Sequence, residues 1–365
     1  MPAWLTAITS RADAAPAVLV TVASVEGSAP REPGAKMLVT PTAQYDTIGG
    51  GHVELRACAI AREMLAVLPA QSASQPSDRR IERFALGPSL GQCCGGVVHL
   101  AFEYVTASTR AYYAHLHAQW HERQDCWRLV PLDTALPSVL VDDSGNVLAG
   151  NQPAAPLPPL PPLHFERNRP CHLLRDAAGH AWLIDPCRVP RSQLLLFGAG
   201  HVGAALVRAL ADLPCHVTWI DVRDDIFPDD LPLHVTIEVT DTPEAVVDAA
   251  PAGSNYLVLT HSHALDLRLA EAILRRSDVG WFGLIGSTTK RRQFEHRLRE
   301  RGIASERLAD MVCPIGIPGI RGKAPAVIAA SVAAQLLQVW EAQENNPHVG
   351  HPVRRAQTNI VESME

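Results

Sequence analysis

The 365-residue sequence predicts an α/β protein in which a doubly wound parallel sheet follows a smaller α+β domain. Three observations predict it. Short apolar runs alternate with helical periodicity through the second half of the chain. A glycine-spaced turn, GAGHVG, joins the first of those runs to the first of those helices. The first half instead carries β-branched runs separated by loops bearing glycine and proline.

In chain order, VLVTVASV (18–25) and KMLVT (36–40) read as strands around the loop EGSAPREPGA. YDTIGGG (45–51) then runs into a helix whose apolar positions are Val53, Ala57, Ile60, Met64 and Leu68. The proline density of QPAAPLPPLPPLHF (152–165) suits neither a helix interior nor a central strand, so it reads as a connection or exposed loop. LLLF (194–197) has the continuous apolar character of a buried parallel strand and leads into GAGHVG. Val202, Ala205, Leu206, Ala209, Leu210 and Leu213 follow at helical spacing. HVTWID, YLVLTH, WFGLIG and MVCPIG are four further strands, with helices at 264–276, 288–301 and 324–340 among them. The domain reading is therefore an α+β domain over 1–150, a Pro-rich connection with loosely assigned strands over 151–190, a doubly wound domain over 191–342, and a polar tail over 343–365 that is expected to be mobile.

The formal net charge of −6 gives no electrostatic case for nucleic acid or an anionic membrane. The N-terminus lacks the basic region and apolar core of a signal peptide, and APAVIAASVAAQLLQVW (324–340) reads as too short and too mild to span a bilayer. Eight cysteines without a signal point to reduced thiols in a cytoplasm.

Several constellations could carry chemistry. Gly198, Gly200 and Gly203 form a G-x-G-x-x-G turn between a strand and a helix, and Asp221 ends the next strand about 20 residues on, where dinucleotide folds bind a ribose hydroxyl. This makes the second domain Rossmann-like. Its ligand stays open between a nucleotide, another anion and simple helix–sheet packing. Gly49, Gly50 and Gly51 precede a helix whose N-terminus would attract an anion, or they make a tight turn. Arg31, in GSAPREPGAKM with Lys36, suits phosphate or carboxylate, although a solvated loop cation is the bland alternative. His261, His263 and Asp266 in THSHALD could ligate a metal, but a strand-end loop with Ser262 capping the next helix is the better reading of the His pair. The basic helix 287–301 is mostly a solvated face, with Ser287, Thr288 and Lys290 placed to meet an anion, and Lys323 repeats that theme in GIRGKAP.

SLGQCCGGVV (89–98) sets Cys93 and Cys94 side by side among glycines. Consecutive Cα atoms lie ~3.8 Å apart, too close for the ~4.4 Å or more that a disulfide spans. Thiolates are soft ligands, so the pair reads as a candidate metal or cofactor site rather than a staple.

Together, GSAPREPGAKMLV, TIGGGHVE, GQCCGG, LLLFGAGHVG, LTHSHALDLRLAEAIL, WFGLIGSTTKRRQF and CPIGIPGIRGKAPAVIAASVAAQLL resemble the XdhC/CoxI family of xanthine dehydrogenase accessory proteins. They stand in family order over most of 18–105 and 190–340. The resemblance implies a cytoplasmic maturation factor of purine catabolism. Such a protein would bind the molybdenum cofactor (molybdopterin) transiently, support its sulfuration by a cysteine desulfurase, and pass it to apo xanthine dehydrogenase as an insertion chaperone, not as a turnover enzyme. By that likeness Cys93 and Cys94 sit with the cofactor, where either could face molybdenum or relay sulfur. A homodimer stays open. An NAD(P)-dependent oxidoreductase built on GAGHVG is the alternative, with His261 or His263 as its acid or base. A metal-dependent hydrolase using His261, His263 and Asp266 is a further rival.

Overall fold

A computed structural model of the chain describes residues 1–10, 15–67, 79–86, 95–132, 136–151, 165–232 and 234–345. They fall into two units, Met1–Val189 and Pro190–Glu365.

The first unit holds two antiparallel sheets. One has the order β3-β2-β1-β5-β4, made from β1 (Ala17–Glu26), β2 (Lys36–Val39), β3 (Gln44–Asp46), β4 (Arg80–Ala85) and β5 (Val97–Val105). Its central strand β1 is apolar on both faces because both are covered. Val18, Val20 and Val22 pack with Val53, Ala57, Ile60 and Met64 of helix α2 (Gly51–Val67). Leu19, facing the other way, joins Trp4, Leu5 and Ile8 of α1 (Ala3–Ser10) and Tyr112, Tyr113 and Leu116 of α3 (Arg110–His121). The second sheet has the order β8-β7-β6-β10-β9, from β6 (Cys126–Pro131), β7 (Val139–Val141), β8 (Val147–Gly150), β9 (His172–Arg175) and β10 (Ala181–Cys187). Part of the segment read as a connection thus belongs to a sheet. Strand β10 pairs along its length with β6, from Trp182 opposite Pro131 to Cys187 opposite Cys126. The pairing is long-range, and local periodicity does not show it. The Pro-rich residues 152–164 lie outside the described residues.

Four buried charges join the two sheets. Arg128 on β6 has no exposed surface and donates to Glu103 on β5 (2.6 Å) and to Asp185 on β10 (2.8 Å). Asp185 also accepts from Lys36 on β2 (2.7 Å), whose ammonium donates to Gly34 O as well (2.9 Å). Burial opposes the charge on Lys36 and on Arg128, yet the neighbouring carboxylates hold both above their ordinary pKa values.

The second unit is a six-stranded parallel sheet ordered β13-β12-β11-β14-β15-β16, with β11 (Ser192–Phe197), β12 (Cys215–Asp221), β13 (Val235–Val239), β14 (Asn255–Val258), β15 (Trp281–Leu284) and β16 (Met311–Val312). Counted from β11 as the first strand, this is the 3-2-1-4-5-6 order of a Rossmann fold, whose direction of winding reverses between β11 and β14. Strand β11 divides its side chains by parity. Leu194 and Leu196 join the core under α4 (His201–Ala209) and α9 (Pro325–Asn345). Leu195 and Phe197 join the opposite core, covered by α5 (Pro243–Ala249), α6 (His263–Arg275), α7 (Thr288–Glu300) and α8 (Ser305–Ala309). The edge strand β13 is half exposed and carries no continuous apolar signal.

Helix α9 is longer than the run 324–340 suggests, and the polar tail does not begin at 343. The helix continues to Asn345, and Gln343 donates to Asn255 Oδ1 and Gly280 O, both at 3.1 Å. By length and composition Pro325–Glu344 is enough to cross a membrane, contrary to expectation. Ala329, Val332, Ala333, Leu336 and Trp340 instead place one face of it in the core of the sheet.

Removing one partner from the four-charge network leaves buried charge uncompensated. Asp185→Ala, which takes from Lys36 its carboxylate and leaves Arg128 with Glu103 alone, is expected to cost the first unit about 3–5 kcal/mol, measured by urea denaturation followed through tryptophan fluorescence.

Candidate functional site

In the first unit, three separate sequence motifs come together through glycines. Gly49, at φ 121°, lies under the GSAPRE loop, and a Cβ there would sit 2.5 Å from Pro30 Cβ and 3.2 Å from Arg31 Cγ. Gly96 packs against the start of the same loop, where a Cβ would overlap the carbonyl oxygens of Ser28 and Glu26. Gly96 O accepts from Leu86 N (2.7 Å), which continues the β4–β5 pairing to the end of the glycine run. Gly50 (φ 73°) and Gly95 have nothing within 4 Å of where a Cβ would be. Gly49 and Gly96 thus bring the loops close, while Gly50 and Gly95 leave backbone open. Cys93 and Cys94, next in the chain to Gly95, lie outside the described residues.

The anion expected at the start of α2 is supplied by the chain itself. Glu54, in the first turn, accepts from Ile48 N (3.0 Å) and Gly50 N (3.1 Å), and from Thr47 Oγ1 and Gln44 Nε2. Burial raises its pKa, but these hydrogen bonds outweigh it and hold the carboxyl below its ordinary range. The signal was a carboxylate three residues into the helix, as in a capping box. Arg31 is on the surface and pairs with its neighbour Glu32 at 2.9 Å. Lys36, its partner in the motif, is committed to Asp185.

In the second unit, Gly198 and Gly203 are required by packing. Gly198 stands at φ 115°, where a Cβ would meet Leu259 O at 2.5 Å, and a Cβ on Gly203 would overlap Gly198 O. Gly200, the residue before α4, has open space where its Cβ would be. A cleft lies outside the carboxyl ends of β11, β12 and β14, lined by Phe197, Gly198, Ile220, Asp221, Thr260 and His261 among others. This is the point at which the strand order reverses.

Asp221, the expected ribose ligand, is 8% exposed and fully engaged. Its Oδ1 accepts from Arg223 N (3.2 Å) and Nε (2.9 Å), and its Oδ2 from Ala199 N (2.8 Å) and Arg223 Nη2 (3.0 Å). Burial works against ionisation, but these donors prevail and lower the carboxyl to about 2. Arg223 escapes the motif reading because it stands two residues past the fingerprint position.

The remaining candidates separate. Asp266 is buried and accepts from Thr260 N (3.2 Å), Thr260 Oγ1 (2.7 Å) and Lys290 Nζ (2.6 Å), while His261 and His263 are exposed. The His261/His263/Asp266 metal set is therefore not assembled, and no metal-holding group of three such side chains occurs among the described residues. Ser262 caps α6 by accepting from Leu265 N (3.3 Å). Lys290, expected to meet an anion, meets Asp266. Lys323 is exposed in the loop before α9 and does not line the cleft. All six cysteines among the described residues are free and buried.

Two family models match the chain, the XdhC and CoxI family over residues 10–71 and the XdhC Rossmann domain over 194–336. The chain belongs to the XdhC/CoxI family. It is 25% identical over 342 residues to a Bacillus subtilis protein described as a probable subunit of xanthine dehydrogenase, covering 88% of this chain and 92% of that one. It is 31% identical over 150 residues to the uncharacterized protein YqeB of Escherichia coli, a match spanning 41% of this chain and 27% of YqeB. The fold is that of a Bacillus halodurans crystal structure described as a xanthine dehydrogenase, with TM-score 0.71 at 18% identity over 94% of this chain and 96% of that one.

The two glycines of the CCGG run separate packing from openness. Gly96→Ala, which must displace backbone, is expected to lose about 1–3 kcal/mol, and Gly95→Ala to stay within about 0.5 kcal/mol of the parent, both by thermal denaturation. Because the carboxyl of Asp221 is depressed in the folded state, its contribution is complete above the ordinary carboxyl pKa of about 4 and fades as pH falls through about 2. Asp221→Asn should flatten that part of the acid stability curve.

Proposed function

We propose that the chain is an accessory protein of the xanthine dehydrogenase system that binds the molybdenum cofactor, supports its sulfuration and inserts it into the apo-enzyme. The observation that carries this reading is the contact of the GSAPRE loop with Gly49 and with Gly96, each of them next in the chain to a glycine, Gly50 or Gly95, with open space at its Cβ position. Family membership and the likeness to the Bacillus subtilis protein support the client.

The residues present fit a pterin with a terminal phosphate in a specific way. The amides of Ile48 and Gly50 are held by Glu54, so the start of α2 is not where a phosphate would be neutralised. Arg31 is better suited. Its ion pair with Glu32 is exposed, and pairs of this kind are worth about 0–1 kcal/mol, so the guanidinium can exchange Glu32 for a phosphate at little cost. The open faces at Gly50 and Gly95 admit a flat ring against backbone, where any side chain would intrude. When bound, the cofactor supplies molybdenum and its dithiolene sulfurs, and Cys93 and Cys94 supply soft ligands beside it. Such a site holds its ligand through one surface arginine, backbone and two thiols, and it can release it to a client.

The test is the protein purified from a host that makes molybdopterin, as the parent and as the double variant Cys93→Ser/Cys94→Ser. Molybdenum and oxidised-pterin fluorescence per chain are the readouts. Cofactor on the parent and not on the variant is expected. Its absence from both, with each folded by circular dichroism, overturns the reading.

A further inference from the structure

The cleft of the second unit carries a selectivity that its glycine motif alone does not show. A carboxylate has about four lone-pair positions, and on Asp221 all four are filled, two by Arg223 side-chain nitrogens and two by backbone amides. An acidic residue at the end of the second strand ordinarily accepts the ribose hydroxyls of a dinucleotide, and here it has no acceptor to offer. What it presents instead is the guanidinium that it holds. Arg223 uses its Nε/Nη2 edge on Asp221, which leaves Nη1 outside that pair, and its side chain is 42% exposed. An arginine fixed at this position is suited to a ribose phosphate rather than a ribose hydroxyl.

The rest of the cleft agrees with a dinucleotide. It lies at the reversal point of the sheet and is lined by Gly198, Asp221, Val222, Thr260, His261 and Leu265. Arg223 follows Val222 at its edge, and two residues beyond Gly198 the one motif glycine not required for packing, Gly200, has open space where its Cβ would be. We propose that this cleft binds a dinucleotide bearing a 2′-phosphate on its adenosine ribose, and that Arg223 is the residue that selects it. The inference does not depend on the molybdenum cofactor reading, which concerns residues of the first unit.

The full chain is titrated with NADPH and with NADH, following nicotinamide fluorescence. NADPH is expected to bind at least about tenfold more tightly, the value of one charge-assisted contact. Arg223→Ala should abolish that ratio, weakening NADPH and, with two acceptor positions on Asp221 set free, strengthening NADH if anything, and Arg223→Lys should restore part of it. Gly200→Val, whose side chain begins in open space, should keep the fold and lose both ligands. Equal affinity for the two dinucleotides, binding of neither, parallel loss of both in Arg223→Ala, or full binding by Gly200→Val would each overturn the proposal.

Discussion

The first unit is built around four charges buried where its two sheets meet. Lys36, Asp185, Arg128 and Glu103 come from four strands of two different sheets, and their formal charges cancel. Each ion is costly to bury, so the arrangement is stable only when all four are in place. The aromatic rings of Trp4 and Tyr113 lie 5.7 Å from the Lys36 ammonium and the Arg128 guanidinium and shield them further. The network also reaches the candidate site. Lys36 closes the GSAPREPGAK loop by donating to Gly34 O, so the loop that overlies Gly49 and abuts Gly96 is anchored at one end by a buried ion pair. Its other end, at Gly27, is shaped by close contact with the Gly96 backbone.

A common economy runs through both units. Three places where the sequence suggests an attraction for an external charge hold an internal one. Glu54 occupies amides before α2, Asp266 receives Lys290, and Asp221 receives Arg223 and the amide of Ala199. These contacts fix the loops without a ligand, and a ligand that met them so arranged would bind at a lower ordering cost. They also move the point of recognition by one residue or two. The groups left facing outward are Arg31 rather than the α2 amides, and Arg223 rather than Asp221.

The legible parts of the sequence are those whose signal is local. LLLF, HVTWID and WFGLIG announce central parallel strands because both faces are buried, and the run is apolar whichever face a residue takes. Strand β13 is invisible in the sequence because an edge strand needs no such run. The second sheet of the first unit is hidden for a different reason. Its strands are short, β6 finds its partner beyond a proline-dense stretch, and Arg128 interrupts an otherwise apolar segment that would signal burial. A buried arginine is intelligible only with its two carboxylates, and these lie 25 and 57 residues away. The His261/His263/Asp266 set fails for the converse reason. Proximity in sequence suggests ligands, whereas helix capping and the pull of Lys290 turn the carboxylate inward.

The glycines show how far a motif can be read without coordinates. G-x-G-x-x-G and GGG look uniform as text, but their members answer to different forces. Gly198, Gly203, Gly49 and Gly96 are fixed by atoms of this chain, and any larger residue would push backbone apart. Gly200, Gly50 and Gly95 meet no such atoms, so internal packing gives no reason for a missing side chain there. An L-residue at Gly95 or Gly200 would be sterically free, and at Gly200 it would also be conformationally ordinary, with φ −73°. At Gly95 and Gly200, then, neither packing nor backbone conformation gives a reason for glycine, and close approach of a ligand to the backbone would give one. The ligands proposed for the two units would each give such a reason, a pterin-sized group over Gly95 and a pyrophosphate over Gly200, whereas at Gly50 the positive φ already favours glycine.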